Sequence, residues 1–313
     1  MAEESETVLV TGGAGFIGSH FVDAALLKGH RVKILDNLSS GRLEHLSSCK
    51  GEGRLAFAKG DIRSKRNIAN AIKGVDSVVH LAALVSVQAS LKQPEETALT
   101  NSIGTLSLLE ECVKRNVRRF VFASSCSVYG NPKYLPIDER HPTVPLSPYA
   151  ASKLAGEAYC DAFSSSFGLS TVCLRFFNVF GTRQSSGPYA GVITKSLQRL
   201  ALGDVPVIYG DGKQTRDFVY VEDVVQAIFG ALQSENSDGE KINVGSGRAV
   251  TINEVVGALL KATGKQVDPV YENMPEGEIL HSVANIEKAE RLLDYHPRKQ
   301  FEEGLREVAQ AYL

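Results

Sequence analysis

Tyr149 and Lys153 stand four residues apart in Ser147-Pro148-Tyr149-Ala150-Ala151-Ser152-Lys153, a spacing that puts a phenol and an ammonium one helical turn apart. Such a pair can make a base. To work near neutrality, a tyrosine with an ordinary pKa of about 10 needs it lowered by about 3, which is about 4 kcal/mol of preferential stabilisation of the phenolate. The neighbouring cation is the expected source. Ser147-Pro148 reads as an N-cap followed by proline at the first helical position, and an Ala/Leu/Glu-rich stretch continues the helix. Tyr129 and Lys133 share the spacing, but the intervening Gly130-Asn131-Pro132 forbids a helix. That pair is set aside.

The elements that must position this chemistry begin at Thr7-Val8-Leu9-Val10-Thr11, a β-branched run that passes into Gly12-Gly13-Ala14-Gly15-Phe16-Ile17-Gly18 and then a helical pattern over 21–28. Strand, glycine turn and helix start follow in order. Gly12, Gly15 and Gly18 let the backbone turn, approach a pyrophosphate and pack helix on strand, while the helix N-terminus offers its free N–H groups to the anion. A second apolar run, 31–35, ends at Asp36, eighteen residues past Gly18. A carboxylate there accepts from both hydroxyls of an adenosine ribose and repels a 2′-phosphate, which favours NAD over NADP.

The chain has 313 residues, 43% of them hydrophobic, with a net charge of −2, enough for a sizeable core in roughly two domains. No Lys/Arg run exceeds two residues, so nucleic acid is not an expected partner. The acidic start Ala2-Glu3-Glu4-Ser5-Glu6 is unlike a signal peptide and no apolar stretch reaches membrane-spanning length. The expectation is a cytoplasmic protein. Five cysteines without Cys-x-x-Cys and seven scattered histidines without i, i+4 pairing predict neither disulfides nor a metal site.

Apolar strands near 7–11, 31–35, 54–58, 76–81, 119–124 and 171–176 alternate with helical segments. That predicts an α/β fold with a doubly wound parallel sheet, ligand atoms gathering at the carboxyl ends of the strands. Residues there are Asp36, Asp61-Ile62, His80-Leu81-Ala82-Ala83, Ser124-Ser125 and Phe177-Asn178. Asp61 is placed to reach an adenine amine, and Ala82 and Ala83 are small enough for a cofactor to lie against the backbone. The expected division is a cofactor domain over 1–180 plus about 217–247, and a smaller C-terminal substrate domain over 181–216 and 248–313. The loop 182–188 is the exit, 217–232 the return. The glycine turn 243–247, followed by a capping box at Thr251 and Glu254, is read as structural.

Thr11-Gly12-x-x-Gly15-x-x-Gly18, Asp61-Ile62, His80-Leu81-Ala82-Ala83, Ser124-Ser125, Tyr149-x-x-x-Lys153 and Arg175-Phe176-Phe177-Asn178 together resemble the extended short-chain dehydrogenase/reductase family of nucleotide-sugar enzymes over the whole chain. The pattern is most similar to the NAD-dependent UDP-sugar 4-epimerases. The resemblance implies that Tyr149 takes the proton of the sugar 4-hydroxyl as the C4 hydride passes to retained NAD, that Lys153 lowers the Tyr149 pKa and holds the nicotinamide ribose, and that Ser125 hydrogen-bonds the same sugar oxygen. A 4-keto sugar then turns over and takes the hydride back with inverted configuration. It further implies cofactor contacts at Phe16, Ile17, Asn37, Ser39, Gly41, Ile62, Leu81, Asn101, Ser124 and Phe177. Substrate contacts are implied at Ser86, Ser127, Asn178, Val192, the uracil strand with Val207 and Tyr209, and Arg216 at the diphosphate. For Arg216, a surface ion pair with Asp217 or Glu222 is the alternative.

The stretch after Ser125 reads Cys126-Ser127, without the carboxyl group that dehydrating and decarboxylating relatives use as an extra acid or base. Epimerisation is therefore preferred to 4,6-dehydration or decarboxylation. A non-catalytic NAD(H)-binding regulator is the reading of another class, disfavoured by the intact Tyr-x-x-x-Lys and glycine motifs. Pro275, in Met274-Pro275-Glu276-Gly277-Glu278, stands where relatives carry a second phosphate-binding arginine, a place Arg183 could fill. Ser282 aligns with a sugar-pocket position that is small in relatives accepting 2-acetamido sugars, so UDP-N-acetylglucosamine and UDP-N-acetylgalactosamine are expected beside UDP-glucose and UDP-galactose. Homodimers through helices at about 98–115 and 149–166 are implied, although the apolar stripes of both could equally face their own sheet.

Overall fold

The computed structural model describes residues 5–49, 51–185, 191–275 and 279–312. Along the chain the strands are β1 Thr7–Thr11, β2 Arg31–Asp36, β3 Leu55–Lys59, β4 Ser77–His80, β5 Arg119–Ser125, β6 Ser170–Phe176, β7 Asn178–Phe180, β8 Val207–Tyr209, β9 Thr215–Tyr220, β10 Lys241–Val244, β11 Ala249–Thr251 and β12 Val270–Glu272. The helices are α1 Phe16–Leu27, α2 Lys65–Ala71, α3 Val87–Lys92, α4 Pro94–Ala98, α5 Gly104–Lys114, α6 Pro148–Phe167, α7 Val192–Ala201, α8 Val221–Gln233, α9 Ile252–Thr263, α10 Glu287–Leu293 and α11 Phe301–Tyr312.

Seven strands form one parallel sheet in the order β10-β6-β5-β4-β1-β2-β3. Strand order reverses between β1 and β4, and a crevice opens outside the carboxyl ends of strands at such a switch point. Both faces are covered, as a parallel sheet requires. On one, Phe21, Val22 and Ala25 of α1 and Val224, Ile228 and Ala231 of α8 pack on Val10, Val121 and Val172. On the other, Ile68 of α2, Leu108 and Leu109 of α5 and Cys160 and Phe163 of α6 pack on Leu9, Val78 and Phe120. The stripes of α5 and α6 thus face their own sheet. His80, buried at the end of β4, hydrogen-bonds Thr11 of β1 at 2.6 Å and Thr105 of α5 at 2.8 Å, stitching the switch point together.

A three-stranded sheet, β11-β9-β7, and a two-stranded one, β12-β8, stand apart from the large sheet with α7, α9 and α11. Asp217 of β9 joins them to the rest: its buried carboxylate accepts from the amides of Ser246, Gly247 and Ala284 at 2.6 to 3.1 Å and from the Ser246 hydroxyl. Three places differ from the expected division, the first being β7, which lies in the three-stranded sheet although 178–180 fall within the expected cofactor domain. Residues 217–220 lie in the three-stranded sheet while 241–244 add the seventh strand to the large one, and α10, expected in the smaller unit, contributes Ala289 and Leu293 to the core over the large sheet.

Candidate active site

The glycine turn between β1 and α1 has the geometry of an anion cradle. Gly12 has φ +73°, and a Cβ there would meet the Ala82 amide nitrogen at 2.8 Å; a Cβ on Gly18 would land on the Gly12 carbonyl oxygen. Only glycine fits at either position. Asp36 closes the end of β2, its carboxylate accepting from the Ala14 amide at 3.0 Å and the Leu38 amide at 2.8 Å. Backbone from the glycine turn thereby aims this carboxylate, leaving lone pairs for hydroxyl donors.

Ser147 caps α6 through the Ala150 amide with Pro148 in the first turn, as its sequence predicts. The helix then delivers Tyr149 and Lys153, 9% and 4% exposed, to the carboxyl end of β5, where Ser124 and Ser125 lie. All four line an open cleft of about 2040 Å³, room for two nucleotide-sized ligands. The electrostatics depart from the expectation. The Lys153 ammonium donates to the Ala123 carbonyl at 2.8 Å and stands 6.0 Å from the centre of the Tyr149 ring. Burial pushes the Tyr149 phenol up to about 12, with a hydrogen bond to Ser125 pulling the other way, and burial lowers Lys153 to about 8. Burial is thus the largest influence on the Tyr149 phenol, and the Lys153 ammonium is turned to the Ala123 carbonyl.

Also lining the cleft are Gly12, Gly15, Phe16, Ile17, Gly18, Asp36, Asn37, Ser39, Ile62, Leu81, Ala82, Ala83 and Phe177 on the expected cofactor side, and Ser86, Asn178, Val192, Val207, Tyr209 and Arg216 on the substrate side. Five expected residues lie outside its lining. Gly41 backs Asp36, whose carboxylate a Cβ would meet at 2.9 Å. Asp61 is held by Arg63 at 2.7 Å and Asn37 at 3.0 Å, and the Arg63 hydrogen bonds keep its carboxyl well below the usual range. Asn101 sits in a π-helical turn and braces the 84–86 loop: it accepts from the Leu84 amide at 2.8 Å and donates to the Leu84 carbonyl and to Ser152. The Ser127 hydroxyl is buried behind Ser125, and Ser282 is buried with its amide donating to the Thr215 carbonyl. Asn101 and Ser282 are buried, whereas Gly41 and Asp61 are half-buried beside the cleft.

Tyr129 is structural: its hydroxyl donates to Asn243 at 2.6 Å and accepts from Arg175 at 2.9 Å, and Gly130 ends its short helix. Asp217, the proposed partner of Arg216, is committed to backbone amides, and Arg216 donates to the Thr215 carbonyl. Pro275 does line the cleft, while 276–278 and 186–190, which include the last residues of the exit loop, lie outside the described residues. Arg183 lines it too, paired to Asp23 at 2.7 Å through one terminal nitrogen, the other being buried without a hydrogen-bond partner. Sequence reasoning missed Glu157, one more turn along the Tyr149/Lys153 face; extending the same period would have found it.

Residues 8–245 match the model of the NAD dependent epimerase/dehydratase family. The chain belongs to that family. Within the family, it is 39% identical to a putative UDP-glucose 4-epimerase of Methanocaldococcus jannaschii over 96% of each chain. Among solved structures it is similar to a UDP-N-acetylglucosamine 4-epimerase from Methanobrevibacter ruminantium in complex with UDP-N-acetylmuramic acid (39% identity, TM-score 0.94, 98% of each chain). It is also similar to a UDP-glucose 4-epimerase from Thermotoga maritima with UDP-glucose (37%, TM-score 0.92, 98% of each chain). NAD is the family's cofactor, and the glycine cradle and Asp36 fit it.

Proposed function

We propose that the protein is an isomerase inverting C4 of a UDP-hexose through a 4-keto intermediate. The observation that carries this is the convergence of Ser125, Tyr149 and Lys153 on one cleft with the glycine cradle. When bound, NAD accepts a hydride from the sugar and returns it. Tyr149 accepts the 4-hydroxyl proton and gives it back, and Ser125 hydrogen-bonds the same oxygen. Lys153 adds positive charge beside the phenol. Burial holds the Tyr149 phenol up at about 12 in the protein alone, and the positive charge of an oxidised nicotinamide, were it held in this cleft, would favour the phenolate.

The cleft carboxylates, Asp36, Glu96 and Asp204, come from β2, α4 and the loop after α7, and among the described residues none adjoins Ser125. Among the described residues no carboxyl group stands where it could act as the acid for eliminating a sugar hydroxyl, which supports epimerisation over dehydration. Val207, Tyr209 and Arg216 are assigned to uridine diphosphate, with Arg183 offering a second cation where Pro275 cannot. We extend the range to 2-acetamido sugars on the likeness to a UDP-N-acetylglucosamine 4-epimerase, not on Ser282, which lies behind the wall.

The large parallel sheet with its flanking helices, α8 and α10 included, is read as serving the cofactor, and the three-stranded and two-stranded sheets with α7, α9 and α11 as serving the sugar nucleotide. A cytoplasmic homodimer completes the proposal: the five cysteines are free thiols, no helix among the described residues is long and apolar enough to cross a membrane, and Leu99 and Ile103 are exposed just before α5. Sedimentation at protomer mass would remove the dimer. The decisive test is incubation without added NAD with UDP-glucose and, separately, UDP-N-acetylglucosamine, following H4 and anomeric protons by NMR. Conversion to the 4-epimer is the expected result; a keto-deoxy sugar or no reaction would overturn the assignment.

A further inference from the structure

Behind Ser124 lies a closed polar cluster that takes no part in the chemistry just described. The Ser124 hydroxyl donates to Glu157 at 2.5 Å; Arg175 of β6 grips the same carboxylate with two parallel bonds, Nε to Oε1 at 2.9 Å and Nη2 to Oε2 at 2.6 Å. Its remaining nitrogen donates to the Tyr129 hydroxyl, which is anchored on Asn243 of β10. Glu157 is 1% exposed and Arg175 4%. An ion pair withdrawn this far from water is costly to build, and an apolar pair of similar volume would often serve stability as well or better. Stability alone is thus a poor reason for a carboxylate here.

Its neighbours offer a better one. Glu157 follows Lys153 by four residues on α6, so the carboxylate and the ammonium are adjacent on one helix face. The ammonium is itself tied to the carbonyl of Ala123, the residue before Ser124. We propose that Glu157 is a positioning residue of the active site, its Arg175-clamped carboxylate fixing the Ser124 hydroxyl and balancing the charge of Lys153. The inference rests on the epimerase reading for what Lys153 and Ser124 do, but not for how they are held.

Fixed this way, the Ser124 hydroxyl spends its proton inward, so its oxygen faces the cleft as an acceptor. Around Lys153 the titratable or charged groups are Tyr149 and Glu157 on α6, His80 on β4 and, beyond Glu157, Arg175 on β6. Burial disfavours the Lys153 ammonium, and the Glu157 charge opposes that. Without that charge the ammonium would be lost at lower pH.

The test is Glu157→Gln and Glu157→Asp, with two readouts. One is turnover against pH on a UDP-hexose. The other is NMR titration of the 15N-labelled Lys153 side chain, assigned by its loss in Lys153→Met, which needs no turnover. For Glu157→Gln we expect kcat at least about tenfold lower with KM little changed, the alkaline limb and the Lys153 midpoint both moved to lower pH, and partial recovery in Glu157→Asp. Should Glu157→Gln fail to fold because Arg175 is left uncompensated, Glu157→Gln/Arg175→Met removes both charges and carries the same expectations. An unmoved Lys153 midpoint with wild-type kcat, or equal loss in Gln and Asp variants with no change in pH dependence, would overturn the proposal. Absent wild-type turnover would sink the epimerase reading and with it the assigned roles of Ser124 and Lys153, while the Lys153 titration would still decide whether Glu157 sets its charge.

Discussion

Tyr149 and Lys153 were legible because a cap, a proline and a four-residue spacing suffice to put two side chains on one helical face. Their balance of charge was not, because the direction of the ammonium and the depth of burial belong to the assembled sheet. Tyr149→Phe keeps the ring and deletes the exchangeable proton; turnover should fall by about 10²- to 10⁴-fold with NAD content unchanged, as measured by absorbance of the released cofactor. Undiminished turnover would remove Tyr149 from the reaction. The pH dependence follows from Lys153. Its pKa in the protein is lowered to about 8, so the ammonium is present below that pH and lost above it. The rate at saturating substrate should therefore decline as pH rises through about 8, and Lys153→Arg, which stays charged, should flatten that decline even if its maximum is lower.

Among the elements, α6 is the most demanding, since it must lie close enough to β5 for Lys153 to reach the Ala123 carbonyl. Gly156 permits that approach: a Cβ there would run into the Phe122 ring, itself buried. Gly156→Ala sets two effects against each other, a gain of about 1 kcal/mol in helix propensity and an overpacking cost of about 1 to 3 kcal/mol. The second should win. We expect a lower denaturation midpoint and lower kcat, checked by urea unfolding and steady-state rates; a stabilised, fully active variant would show that the helix has room to spare. Six strands of the large sheet could be read from apolar runs bounded by turns. The seventh, β10, could not, because four residues followed directly by Gly245-Ser246-Gly247 look like part of the turn and become a strand only by pairing with β6. The placement of Asn101, Ser127 and Ser282 outside the cleft lining was not legible for a related reason: motif position says which loop a residue occupies, not which way its atoms turn.

For the molecule as a whole, strand order reverses between β1 and β4, and the ligands proposed here would lie across that seam. The seam is held from within by His80, wedged between Thr11 and Thr105. Complete burial holds this imidazole neutral, with its pKa lowered from 6.5 to about 3. Between those values the unfolded chain binds a proton that the native protein refuses, so folding stability should be intact above pH 6.5 and drain away as the solution is acidified. The slope is about 1.4 kcal/mol per pH unit from this one residue, reaching on the order of 4 to 5 kcal/mol near pH 3. Urea titrations at pH 7 and pH 5 should separate accordingly, and His80→Gln should lose that separation; an unchanged difference would shift the blame to the carboxylates. The place where strand order reverses to receive ligands is thus also one where acid would loosen the fold.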